Sequence, residues 1–275
     1  VKVLIIRQEI TMPYIRETCV AGRTIEMEKK YSSRFSLGTV KRSANTKATP
    51  EDVMRVNERN AEKALRRVLN HNFGMGDLHL VLTYSGDEPS QEQAKQDLNT
   101  FKRKLAAIFR KQGKVLKWVA VTEYKHKRIH HHIVCSSIDT RDLIAIWPHG
   151  HIRPSFLDNT GNYRKLAAYL IKETSKTFRD PESVTKKRYS CSRTIVKPEV
   201  KREIIPSREW TEDPAPVAGY YIDKDSLREG VHELTGYPYQ EYTMVSIAEV
   251  PRITRWEKGR IKYKRNRKPG RETHA

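Results

Sequence analysis

The 275-residue chain contains few cysteines, and those it has are isolated. Cys19, Cys135 and Cys191 are odd in number and far apart, so they offer neither a disulfide framework nor the paired spacing of a zinc site. We therefore expect a protein of a reducing compartment, the cytoplasm of a host cell, without disulfides or structural zinc.

Long apolar segments are absent as well. No run of 18 apolar residues occurs, so the sequence predicts no membrane-spanning helix. Residues 1–10 have too short an apolar core for a signal peptide, because Arg7 and Glu9 interrupt it. The phosphate-loop pattern Gly-x-x-x-x-Gly-Lys-Ser/Thr does not occur, and we therefore predict no fused helicase.

Acidic residues are outnumbered by basic ones. The chain carries 53 Lys and Arg against 33 Asp and Glu, a formal net charge of +20, which favours a polyanionic partner such as nucleic acid or an anionic membrane surface. The most basic stretch is 252–275, in which Trp256 and Tyr263 lie among the cations. Such a stretch either clamps a DNA backbone and stacks on its bases or is a disordered solubilising tail. We favour DNA contact because the whole chain is basic.

Hydrophobic periodicity and turn residues divide the chain into alternating strands and helices. Helices are expected where apolar residues recur at helical spacing after a capping residue, and strands where short β-branched runs end in turns. Towards the C-terminal side, prolines break the pattern and the assignments rest on less. The predicted strands are 1–6, 14–20, 24–30, 78–85, 115–123, 129–136, 150–157, 217–223 and 242–247, and the predicted helices are 49–70, 90–112, 140–146, 163–176 and 226–234.

A histidine-rich strand is the most informative stretch. Along 128–134, His130 and His132 point to one face because side chains alternate along a strand. If the chain turns before this strand, Glu123 returns beside them and completes a site of two imidazoles and one carboxylate, which suits Mn²⁺ or Mg²⁺. His126, in the expected turn, competes with Glu123 as third ligand. A solvated histidine cluster near a turn is the alternative.

The helix over 163–176 carries a candidate nucleophile. A projection at 100° per residue places Tyr169 at the edge of the apolar stripe, with Lys165, Lys172 and Lys176 on the same flank. Ammonium groups neutralise phosphate oxygens and favour ionisation of a phenol, whose ordinary pKa is about 10. An amphipathic helix with an edge tyrosine is the alternative. Tyr163 points towards the stripe and is expected to pack.

Taken in order, these motifs resemble those of the HUH endonucleases, specifically the replication initiators of rolling-circle plasmids and phages. The resemblance covers about residues 77–176, with a weaker echo to about Arg193. His131 departs from the family pattern, in which the middle position is usually bulky and apolar, and we expect it to pack or to reach a hydrogen-bond partner. The matching segments are Leu80–Tyr84, His130–His132, Tyr169–Lys172 and Arg188–Arg193.

The resemblance implies an α+β fold with a central antiparallel sheet flanked by helices, similar to an RRM or ferredoxin. The histidine strand would be central and the tyrosine helix would pack across it. The implied activity is nicking and religation of single-stranded origin DNA through a 5′-phosphotyrosine. Tyr169 would be the nucleophile, Lys172 would position the phosphate, and His130, His132 and Glu123 would bind Mn²⁺ or Mg²⁺. A helicase acting in trans would unwind the DNA.

Further assignments concern DNA contacts and domain limits. We predict a nuclease domain with an N-terminal extension over 1–195, its core at about 75–180. An accessory subdomain over 196–250 and the basic tail over 251–275 would follow. The residues predicted to contact DNA are Thr83, Lys165, Lys176, Arg193, Trp256 and Tyr263.

Two other classes stay open. A relaxase or transposase of the same superfamily would share the chemistry, although relaxases often place the tyrosine before the histidines and single-tyrosine transposases are usually more compact. A non-catalytic RRM-like module would bind nucleic acid without a metal. It should show exposed aromatic residues in its central strand, and His130–His132 offers none.

Overall fold

The computed structural model describes residues 14–32, 49–124, 128–179, 187–205, 213–234, 236–248, 253–257 and 260–263. Within these ranges the chain forms an α+β fold of two five-stranded antiparallel sheets, a two-stranded ladder and four helices, which confirms the predicted fold class. The predicted strand 1–6 lies outside the described residues. No described helix is long and apolar enough to cross a bilayer.

The elements are numbered in chain order. The helices are α1 Pro50–Asn72, α2 Gln91–Lys111, α3 Thr140–Ile146 and α4 Arg164–Arg179. The strands are β1 Tyr14–Ala21, β2 Thr24–Tyr31, β3 Leu78–Thr83, β4 Trp118–Glu123, β5 His130–Cys135, β6 Ile152–Phe156, β7 Ser190–Cys191, β8 Val200–Ile204, β9 Tyr220–Val231, β10 Pro238–Ser246, β11 Ile253–Glu257 and β12 Arg260–Tyr263.

The sheet that we call the histidine sheet has the order β6-β3-β5-β4-β7, with β5 in the middle. Its register sets Thr83 and Glu123 opposite His130 on the two neighbouring strands. Directly paired residues share a face, so these three side chains lie on the same side of the sheet. The central position predicted for the histidine strand is therefore confirmed.

Two apolar cores cover the two faces of the histidine sheet. On one face, alternate strand residues such as Leu80 and Ile133 pack against α2, whose Phe101 and Leu105 are almost fully buried. On the other face, Val134 and its neighbours pack against α1 and α4. The tyrosine helix therefore crosses the face to which His130 and His132 point.

The second sheet, which we call the hairpin sheet, has the order β8-β1-β2-β10-β9. It joins the N-terminal β1–β2 hairpin to strands that follow residue 196, so residues on both sides of the predicted boundary at 195/196 share one sheet. The helix predicted over 226–234 is wrong. Those residues continue β9, because pairing with β10 outweighs a local sequence that has no clear period.

Asn70, near the end of α1, ties three elements together. Its side chain is buried, donates from Nδ2 to Thr24 Oγ1 at 3.0 Å, and accepts at Oδ1 from the backbone N–H of Tyr163 at 2.8 Å. The hairpin turn presses against the same point, since a Cβ on Gly22 would lie 2.0 Å from the carbonyl oxygen of Asn70. The start of the tyrosine helix is thus held by α1 and by the hairpin sheet.

Buried ion pairs join β2 to α1. Glu26 binds Arg66 at 2.5 Å and Arg67 at 2.7 Å, and Glu28 binds Lys63 at 2.8 Å. Burial alone would raise the pKa of Glu28, but the ammonium groups of Lys63 and Lys30 lower it to about 2. The hairpin sheet is therefore attached to α1 by charge as well as by apolar contact.

The depressed pKa of Glu28 predicts how stability depends on pH. Its contribution is fully present above the ordinary glutamate pKa of 4.5 and is lost as the pH falls towards about 2. We expect Glu28→Gln to cost up to about 3 kcal/mol near neutral pH and almost nothing at the acid end of that range. Urea unfolding of both proteins across this range measures the difference. Glu199→Gln, an exposed control, should show no such trend; a pH-independent cost for Glu28→Gln would contradict the prediction.

Close packing at Gly150 gives a second prediction. A Cβ there would lie 2.3 Å from the carbonyl oxygen of Thr83 and 2.7 Å from the amide nitrogen of Ser85, where residues 149–151 extend the ladder beside β3. We expect Gly150→Ala to lower the free energy of unfolding by about 1–3 kcal/mol through overpacking. Gly74→Ala is the matched control, because a Cβ there meets no atom within 4 Å. Equal melting temperatures for the two variants would contradict this expectation.

Candidate metal and tyrosine site

His130 and His132 lie together on the buried face of β5. Their side chains are 8% and 2% exposed, and their ring centroids are 4.9 Å apart. Ligand atoms of His130, His132 and Glu173 all lie within 4.8 Å of one another. Two imidazoles and a carboxylate at this spacing form a donor set that fits a divalent cation.

Hydrogen bonds to the outer ring nitrogens orient both imidazoles. His130 Nδ1 lies 2.9 Å from the carbonyl oxygen of Arg128, which accepts only, so Nδ1 carries the proton and Nε2 keeps its lone pair for a cation. His132 Nδ1 lies 3.2 Å from His79 Nε2, and the two rings stack at 5.3 Å. Burial lowers the pKa of His79 to about 4, which keeps it neutral beside His132.

His131 points to the opposite face, as the strand period predicts. It is fully buried, with Thr122 Oγ1 2.8 Å from Nδ1 and Tyr84 Oη 3.0 Å from Nε2. Burial, followed by the charge of His130, lowers its pKa to about 3, so it is a neutral core residue. The expectation that His131 packs and finds hydrogen-bond partners is confirmed.

Two carboxylates approach the imidazoles from different elements. Glu123, at the end of β4, is 1% exposed, and its Oε2 lies 3.4 Å from His130 Nε2. Glu173 comes from α4 and is half-buried. The expected return of Glu123 to the side of His130 is observed, and its role as metal ligand stays a prediction. His126, the competing ligand, lies outside the described residues.

Tyr169 projects from α4 onto this group. Its ring lies 5.3 Å from that of His132, edge to face, and the side chain is 41% exposed. The expectation that lysines favour its ionisation is wrong for the protein without a bound cation. Burial, then the charges of Glu173 and Glu123, raise the pKa of Tyr169, because the carboxylates approach it from the buried side.

The other predicted contacts fall into two groups. Lys165 and Lys172 are exposed on the same helix as Tyr169, and Thr83 lies on the histidine face opposite His130. Arg193 is exposed at the other end of β4 from Glu123, beside Trp118, and is not brought to the site.

Three further predicted contacts are described only through the backbone. Lys176 lies in α4, Trp256 in β11 and Tyr263 in β12, and the last two strands pair antiparallel. The alternative of a disordered tail therefore does not hold for residues 253–257 and 260–263. Tyr163, expected to pack, is 4% exposed and donates to the carbonyl oxygen of Asp158 at 3.1 Å.

Comparison with known proteins points to one family. Residues 77–178 match the family model of the replication-associated protein ORF2. The matched segment contains β3, both site histidines and Tyr169, and it supports the similarity to replication initiators of the Rep type. No curated protein and no solved structure was found to match the chain.

Two residues of the site were missed by sequence reasoning. His79 reads locally as a sheet residue, because its contact with His132 depends on the register between β3 and β5. Glu173 lies four residues after Tyr169, and residues at that spacing are neighbours on one helix face. A helical projection that weighed acidic residues as well as lysines would have found Glu173.

Metal binding gives a direct test of this group. We expect Mn²⁺ to raise the melting temperature of the protein, and His132→Ala to abolish that rise because an imidazole ligand is lost. Glu173→Gln should weaken Mn²⁺ binding by at least about tenfold in calorimetric titration. His151→Ala removes an exposed histidine and should bind as the wild type does.

The same titration distinguishes the two carboxylates. A larger loss in Glu123→Gln than in Glu173→Gln would assign the third ligand to Glu123 instead. Unchanged Mn²⁺ binding in His132→Ala would contradict the site altogether.

Proposed function

We propose that the chain is a replication initiator endonuclease that nicks and religates single-stranded origin DNA through a 5′-phosphotyrosine, as in rolling-circle replication. The observation that carries this proposal is the contact between Tyr169 and His132, which sets a phenol against a buried donor group that fits a cation. The family match over residues 77–178 supports the replication role.

His130 and His132 would hold a divalent cation, Mn²⁺ or Mg²⁺, together with Glu123 or Glu173. When bound, the cation supplies positive charge that polarises the scissile phosphate and aligns it for in-line attack. The neutral state of His79 preserves the orientation of His132, and the Arg128 carbonyl does the same for His130. These outer contacts keep the ligand atoms in place before DNA arrives.

Tyr169 Oη would attack the phosphorus, and the bond from phosphorus to the 3′ oxygen would break. The phenol gives up its proton to a base, and the departing 3′ oxygen gains one, so a free 3′-OH and a 5′-phosphotyrosine result. Because the phosphodiester energy is kept in the tyrosine ester, a later 3′-OH can reverse the step without ATP. Lys172 would neutralise the charged phosphate from the exposed flank of α4.

The proposed DNA path follows the exposed cations and the open end of the histidine face. Lys165 would contact the backbone beside Tyr169, and Thr83 lies next to His130 where the sheet face ends. Lys176, Arg193, Trp256 and Tyr263 stay as predicted DNA contacts. No helicase motif occurs in the sequence, so unwinding is assigned to a separate helicase.

Covalent capture tests the nucleophile. A labelled single-stranded pool containing the protein's origin is incubated with the protein and Mn²⁺, then separated on a denaturing protein gel. We expect a covalent protein–DNA band that is lost with EDTA and lost in Tyr169→Phe, because phenylalanine has no attacking oxygen. Tyr163→Phe is the matched control on the same helix and should retain the band.

Three results would change the conclusion. A band that survives Tyr169→Phe and disappears in Tyr163→Phe would keep the enzyme and reassign the nucleophile. Tight, metal-independent DNA binding without any band would favour the non-catalytic module. A band that survives EDTA would remove the cation from the reaction.

A further inference from the structure

A cavity of about 480 Å³ opens beside the candidate site, on the side of β3 away from β4. It lies between the end of β6, the first turn of α4 and β9, and one of its walls is His79. Because His79 contacts His132, the cavity is separated from the proposed metal ligands by a single side chain. Its volume lies in the range of cavities that hold small molecules.

Two aromatic side chains line this cavity and are exposed. Phe156, at the end of β6, is 63% exposed, and Tyr221, on β9, is 49% exposed. Large aromatic side chains are usually well buried, and here two of them come from different sheets to one cavity. Exposed aromatic rings in proteins that bind single strands serve as stacking surfaces for bases.

The polar groups of the cavity are mainly hydrogen-bond acceptors. Asp158, Asp223 and Asp225 contribute carboxylates, and Asp225 is exposed. Asn162 Oδ1 is buried and accepts no hydrogen bond from any described residue. Carboxylates repel phosphate but accept hydrogen bonds from amino groups, so this lining fits a nucleobase better than a sugar–phosphate backbone.

Cations stand at the helix end of the same cavity. Lys165 is exposed, and Arg164 lies 3.6 Å from Asp223. A strand whose base enters the cavity would keep its phosphates towards Lys165 and Tyr169. The two kinds of charge are thus divided as the two parts of a nucleotide are.

We propose that this cavity takes an unpaired base next to the nicked phosphate and selects bases that present an amino group. The position of the base relative to the nick rests on the proposed nuclease function, whereas base selection does not. Cytosine and uracil differ at their pairing edge, where cytosine has an amino donor and uracil a carbonyl acceptor. The carboxylates of the cavity accept from the first and repel the second.

Binding of oligo(dC) and oligo(dU) of about ten nucleotides, labelled and measured by fluorescence anisotropy in EDTA, tests base selection without chemistry. We expect the wild type to bind oligo(dC) about threefold to tenfold more tightly, the effect of one net hydrogen bond. Asp225→Asn should bring the ratio close to one, because an amide both donates and accepts. Asp213→Asn makes the same change of charge at an exposed residue that does not line the cavity, and should keep the ratio.

The stacking residues give an independent measurement. Phe156→Ala and Tyr221→Ala should weaken binding of both oligonucleotides by at least about fivefold, because base stacking on an aromatic ring is lost. Leu227→Ala, an exposed control on the same strand as Tyr221, should bind as the wild type does.

Equal affinities of the wild type for oligo(dC) and oligo(dU), or a ratio unchanged by Asp225→Asn, would overturn the proposal. The covalent band separates this failure from failure of the nuclease. A band without base selection leaves the nuclease standing and removes the cavity from recognition. Base selection without a band does the reverse.

Discussion

The two-residue period of β5 is the constraint on which the candidate site depends. The strand is paired on both sides, so its register is fixed by β3 and by β4 at once. A slip of one residue would turn His131 towards α4 and drive His130 and His132 into the apolar core against α2. The core therefore enforces the geometry of the site, because the wrong register would bury two imidazoles among leucines.

Charge is distributed in opposite ways at two scales. The whole chain carries a net charge of +20, which draws a polyanion from a distance. Around Tyr169, by contrast, Glu123 and Glu173 dominate from the buried side and raise the pKa of the phenol. The surface attracts DNA, while the centre of the site attracts a cation. A bound cation would offset the carboxylates that oppose ionisation of Tyr169.

Local patterns predicted the elements that carry the histidines and the tyrosine. The apolar runs on either side of a short turn predicted β4 and β5, and helical spacing predicted α2 and α4. What local patterns could not supply were contacts set by pairing between strands. The ring of His79 meets His132 only through the β3–β5 register, and the strand at 226–231 exists because β10 pairs with it. The electrostatics of Tyr169 failed for the same reason, since lysines on its own helix are visible in the sequence and carboxylates across the sheet are not.

Asn70 has a consequence for how this chain can be recombined. The segment that resembles replication proteins begins at residue 77, after the side chain that accepts from the backbone N–H of Tyr163. An exchange of genetic material at that border would transfer the histidines and Tyr169 and leave behind the residue that holds the start of the tyrosine helix. The inheritable unit of this nuclease is therefore longer than its motifs, and it includes the β1–β2 hairpin whose turn rests on Asn70.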